Sequence, residues 1–210
     1  SQNSQIRQVP DNQEVYLDND GLTSIVFDIL ERVDKPDLDA LKYHLEDIVE
    51  DDVNATKLWS SNSAVLTKLR KFPPPTTIFA IRGKRTFWCF YIHLPPPSST
   101  SSSSQLIITH LQIQTPAYTL FATHTASPTA ISRGKAPDFT GILLTLIRLE
   151  NQQTDLVICV NVPHVDGEYN KNDVDPSAGK QGALLDAATS FRDRILQTFE
   201  IRDWDLFVQE

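Results

Sequence analysis

The chain has 210 residues, 40% of them apolar and 22% charged, the balance of a single globular domain with its own core. A net charge of -8 argues against nucleic acid or an anionic membrane as partner and suits a basic protein surface. No stretch is apolar for the roughly 18 residues that a bilayer span needs, and SQNSQIRQVPDNQEV at the N-terminus lacks the apolar core of a secretory signal.

In chain order, Glu14 to Leu17 (EVYL) reads as a short strand, and Asp18-Asn19-Asp20-Gly21 as a turn and cap. Leu22, Ile25, Val26, Ile29, Leu30 and Val33 then recur at helical spacing, which predicts an amphipathic helix. A second helix is expected from Pro36, with Leu38, Leu41, Leu45, Ile48 and Val49 on its inner face. Residues 70–111 hold two proline triplets and a serine run, so they read as a solvated insertion around a hairpin formed by TTIFAI and TFWCFYIHL. AYTLFATHT, GILLTLIRLE and DLVICVNVP predict three strands, the last two joined at Gln152-Gln153. Residues 163–182 read as polar loop. Leu184, Ala188, Phe191, Ile195 and Phe199 mark a final helix, and FEIRDWDLF reads as a closing strand. Helices packed on a largely antiparallel sheet is the expected architecture, an α/β fold in one domain spanning residues 1–210. Methionine is absent, so the chain has lost its initiator or is a fragment.

No catalytic or metal pattern stands out. The histidines, His44, His93, His110, His124 and His164, fit no metal-binding spacing, and Cys89 lies four residues before His93 in a strand-like segment. Cys89 and Cys159 are too few for a disulfide framework and are expected as buried thiols. Ser177 to Gly182 falls short of a phosphate loop, because Val174 and Gln181 stand where glycine and a hydroxyl residue belong. Neither a cofactor nor a catalytic residue is expected.

Most of the acids lie in residues 1–52, and none lies between Val53 and Pro137. On the expected first helix, Asp28 and Glu31 would share the exposed face with Phe27, a plausible anchor for a protein partner; the plainer alternative is an ordinary solvated helix face. Glu46, Asp47, Glu50, Asp51 and Asp52 gather near the end of the second helix, where carboxylates oppose the helix dipole. Either they steer a basic partner, or the helix ends earlier and they are loop residues.

RQVPDNQEVYLD (residues 7–18), SIVFDILERV (24–33), YHLEDI (43–48), LLTLIRLE with TDLVICVNVPH, and the ending SFRDRILQTFEIRDWDLF together resemble the Ran guanine nucleotide release factor family, specifically a fungal member. The resemblance implies an α/β/α sandwich of the PsbP-like type. It also implies a protein that binds the GTPase Ran, promotes release of its guanine nucleotide and supports protein import into the nucleus, working in nucleus and cytoplasm, by default as a monomer. By motif, the family's acidic Ran-binding pair falls on Asp28 and Glu31. Asp11, Gln13 and Glu14 lie in the VPDNQEV block, which either joins that surface or fixes the junction into the next element. Phe27, Glu46 and Asp47 complete the expected partner surface. Two departures stand out: family members usually begin with a further segment containing a GGA-type strand, and residues 70–111 have no family counterpart, which points to a lineage-specific loop or a retained intron. The competing readings are an adaptor of the same fold with another partner, and a small-ligand carrier or hydrolase.

Overall fold

The structure is a computed structural model and describes residues 9–19, 21–70, 114–126, 136–204 and 207. Among the described residues six strands form one sheet: β1 (Gln13–Leu17), β2 (Ser24–Glu31), β3 (Thr56–Arg70), β4 (Gln114–His124), β5 (Phe139–Leu149) and β6 (Thr154–His164), in the order β1-β2-β6-β5-β4-β3. Every pairing is antiparallel. Among these residues two helices, α1 (Asp37–Val49) and α2 (Gly182–Thr198), cover opposite faces. The expected hairpin within residues 70–111, with Cys89, His93 and His110, lies outside the described residues.

Side-chain alternation sorts the core into two layers. On one face, Leu144, Leu146, Val157 and Cys159 pack under Ala40, Leu41 and Leu45 of α1. On the other, Leu143, Val160 and Val162 meet Leu185 and Ala188 of α2, while Ile147, Leu156 and Ile158 meet Ile195 and Phe199. With both faces covered, β5 and β6 read as near-continuous apolar runs. Each fully buried side chain of this kind contributes about 1.5–3 kcal/mol. Gly141 lets α2 sit close: a Cβ there would lie 2.4 Å from Cδ2 of Leu185. The β5–β6 connection passes through a 3-10 turn, Glu150–Gln152, and Gln153 in the left-handed region at φ 48°.

Several expectations change. Residues 22–33 are not a helix; 24–31 form β2, and the helical spacing was a coincidence of a strand with apolar residues on both faces. Ile25, Phe27 and Ile29 face the α2 layer, whereas Val26 and Leu30 face the α1 layer. The turn after Leu17 therefore joins two strands, with the Asp18 N–H donating to the Thr23 carbonyl at 3.0 Å. In α1, Leu38 and Ile48 are exposed, and the inner face is Ala40, Leu41, His44 and Leu45. In α2, Leu184 is at the surface and Leu185 is buried. The chain after α2 is not a strand: Phe199 and Ile201 are buried in an irregular segment, with Trp204 and Phe207 packed against the same cluster. β3 was not anticipated, because its serines, threonine and asparagine blur the alternation.

A charged cluster lies in the α1 layer. Arg148 of β5 stands directly opposite Asp155 of β6, and its Nε donates to Asp155 Oδ1 at 3.0 Å. Its Nη atoms reach the carbonyls of Lys35 and Val33 at 2.7 and 2.5 Å and the Asp37 carboxylate at 3.0 Å. Asp155 Oδ2 lies 3.0 Å from His44 Nε2 and accepts from the Val33 N–H at 3.2 Å. The Tyr118 hydroxyl donates to Asp37. Burial pushes the Asp155 carboxyl up, but the bonds from His44, Arg148 and Val33 outweigh it and hold it below the ordinary range. Replacing Asp155 by Ala strands a buried guanidinium, and urea unfolding is expected to show a loss of about 3–5 kcal/mol. The Gly141→Val variant should also unfold earlier, because the fully buried Leu185 side chain must give way to the added atoms; a melting curve checks this.

Candidate functional site

Strand geometry divides the acidic surface. Asp28 and Glu31 stand an odd number of positions apart on β2, so their side chains leave opposite faces of the sheet. Asp28 pairs with Gln13 in the register and faces the α1 layer; Phe27 pairs with Glu14 and faces the α2 layer. Phe27 is not an exposed anchor: only 4% of it is accessible, and it meets the Tyr16 ring edge-on at 5.8 Å. Glu14 accepts from the Tyr16 hydroxyl at 2.7 Å on that second face. Glu31 is exposed at the end of β2, Asp11 is exposed just before β1, and Glu46 is exposed on α1.

Around Asp28 the fold does gather functional groups. Its Oδ1 accepts from the Asn12 side-chain amide at 2.8 Å and its Oδ2 from the Gln13 amide at 3.1 Å. Asn12 also donates to the Ile29 carbonyl at 3.2 Å, and its own carbonyl accepts from the Ile29 N–H at 2.9 Å. The Asn12-Gln13 pair thus orients the Asp28 carboxylate and pins β1 to β2. Burial pushes the Asp28 carboxyl up; the Gln13 amide opposes this, Asp47 adds to it and His44 offsets part of it. Asp47, one turn after Tyr43 on α1 and exposed, therefore repels the half-buried Asp28 carboxylate, a repulsion that a cation would relieve. Glu46 and Asp47 lie in the last helical turn, whereas Glu50, Asp51 and Asp52 belong to a 3-10 segment, Glu50–Ala55. The alternative of an earlier helix end thus holds for these last three acids.

The sequence reading missed Asn12 as a carboxylate holder and His44 as the anchor of α1. Their signals were weak: an amide pair inside VPDNQEV, and charged residues, Arg148 and Asp155, set within otherwise apolar strands.

Two titratable clusters were tested for chemistry. His44 is bonded to Asp155, but both are buried and serve the Arg148 cluster. His164 is fully buried, with Nδ1 2.9 Å from the Val162 carbonyl, its ring stacked on Phe139 at 4.2 Å and the Tyr169 ring edge-on at 4.8 Å. Tyr169 and Lys171 close over it by bonding Asp138 at 2.9 Å each. Burial pushes the Cys159 thiol up to about 12, so it carries no thiolate at neutral pH. Among the described residues, no group of three or more metal-ligating side chains converges.

The six-stranded sheet, the helix on each face and the amide-held acid on the first two strands define an α/β protein whose surface chemistry suits a basic macromolecular partner. The model of the family described as Ran-interacting Mog1 protein matches residues 2–163, all but the last residue of the sheet, and the chain belongs to that family. Nuclear import protein MOG1 of Saccharomyces cerevisiae is 43% identical over 70 residues, 28% of this chain and 31% of that protein. The aligned part thus spans under a third of that relative's length. The crystal structure of the Saccharomyces cerevisiae Ran-binding protein Mog1p superposes with a TM-score of 0.54 at 22% identity, covering 97% of this chain and 86% of that one. A point mutant of protein Mog1 gives the same TM-score at 21% identity, with the same coverage. These structures share the fold.

One pH dependence follows from His164. Burial holds its imidazole below the usual histidine range, against the opposing pull of the Val162 carbonyl and Asp138. The unfolded chain takes up a proton near pH 6.5 while the folded chain does not, so folding stability falls as pH drops below about 6.5. Urea unfolding at pH 7 and pH 5.5 should show this decrease, and the His164→Phe variant should lose that part of it.

Proposed function

We propose that this chain binds the small GTPase Ran, promotes release of its guanine nucleotide, and so supports protein import into the nucleus, moving between nucleus and cytoplasm as a monomer. Family membership supports the partner and the transport role. The observation that carries the binding site is the Asp28 carboxylate, half-buried, held by two side-chain amides and coupled to Asp47. An acid held this way has lost solvation without gaining a cation, so a Lys or Arg of the partner restores what burial removed. Glu31 acts as a separate rim charge on the far face, and Asp11, Glu46 and Asp47 add to the field that steers association.

Release follows if the complex is more stable with nucleotide-free Ran than with loaded Ran, which is a statement about differential affinity and needs no reaction at this surface. Fluorescent GTP and GDP release from purified Ran, with and without the chain at low and high salt, tests this. Acceleration that salt weakens is the expected result. Asp28→Asn should lower the binding affinity about tenfold while keeping the fold. Because Asp28 and Glu31 lie on opposite faces, the losses in Asp28→Asn and Glu31→Gln should add in the double variant, as measured by titration. Ran capture without any acceleration would leave an adaptor, and no capture would overturn the reading.

A further inference from the structure

α1 makes its main sheet contacts with β4 and β5, and on its side of the sheet the edge strand β1 carries exposed side chains. Gln13, Val15 and Leu17 alternate onto this open face from the edge strand. In the register, Val15 stands beside Val26 and Cys159, and Leu17 beside Ser24 and Asn161. Gln13 stands beside Asp28 in the neighbouring row. Val15 is 40% and Leu17 75% exposed.

A lone exposed leucine is ordinary. Two aligned apolar side chains on an edge strand, next to a half-buried acid, are a different arrangement. Edge strands are commonly protected by charge, and here the charge is set to one side of an apolar row. The row and the acid are consecutive steps along the same two strands, about 7 Å apart at the usual strand rise. That is the distance between neighbouring side chains on a partner's surface.

We propose that Val15 and Leu17 form the apolar half of the Ran-binding surface, taking an aliphatic or aromatic side chain of Ran that lies next to the basic side chain paired with Asp28. This rests on the proposed function and specifies the chemistry of its partner. The acid supplies steering and its contribution is screened by salt; the apolar row supplies a contact that salt does not weaken.

The experiment is titration of purified Ran with the wild-type chain and with Leu17→Ser, Val15→Thr and Asp28→Asn, at low and high salt, alongside melting curves and sedimentation of each protein. Leu17→Ser should lower affinity about tenfold at both salt concentrations, as removal of a buried apolar anchor does. Its melting temperature should not move, because the side chain is already exposed. Val15→Thr keeps the strand-forming shape and should show a smaller loss of the same salt-independent kind. Unchanged affinity in both apolar variants, with Asp28→Asn weakened, would overturn the apolar contact and leave the acidic reading standing. Unchanged affinity in all three would overturn both. A wild-type dimer in sedimentation that Leu17→Ser dissolves would show that a second copy occupies this face, which also overturns the proposal.

Discussion

The Arg148–Asp155 pair is the contact on which the arrangement of the other elements depends. It joins two central strands at opposed positions, and each partner then reaches outward, Arg148 to the chain entering α1 and Asp155 to His44 within that helix. A buried pair of this kind adds little net stability over an apolar replacement, because both ions lose water. Its effect is on specificity. Only one placement of α1 gives the guanidinium its carbonyls at Val33 and Lys35 and gives Asp155 its imidazole. With α1 fixed over β4 and β5, the open face of β1 and β2 is fixed as well.

The surface around Asp28 follows from that placement. His44 points inward to Asp155, and Asp47, three residues later, comes near enough to Asp28 to raise its proton affinity. The link between core and surface is therefore one helical turn long. Asn12 and Gln13 complete the setting from the other side, so the acid is held rather than free to rotate, and binding a cation there costs less side-chain entropy than at a mobile surface carboxylate.

Much of the fold was legible in the residues. β5 and β6 announce themselves as long apolar runs with a short connection, α1 is marked by Pro36 and the spacing of Leu41 and Leu45, and α2 by Ala188, Phe191 and Ile195. SIVFDILE was not legible. It carries apolar residues on both faces, most of them half-buried, so a helical stripe can be drawn through it as easily as a strand. FEIRDWDLF failed in the reverse way: its alternation is real, but its described residues pair with no strand, and its aromatic residues pack against the α2 layer instead.

The sequence by itself determined the family, the class of fold and the concentration of acids in the first quarter of the chain. These are properties of composition, spacing and resemblance, and they survive a wrong assignment of secondary structure. Only the tertiary structure decided which acids share a face. A helix would have put Asp28, Glu31 and Phe27 on one exposed face. The strand sends Asp28 towards Asn12, Gln13 and Asp47, turns Phe27 into the core and leaves Glu31 on the other side. The physical reason is the period of the element, 3.6 residues against 2, and it is set by the pairing of β2 with β1 and β6, contacts that no local pattern contains.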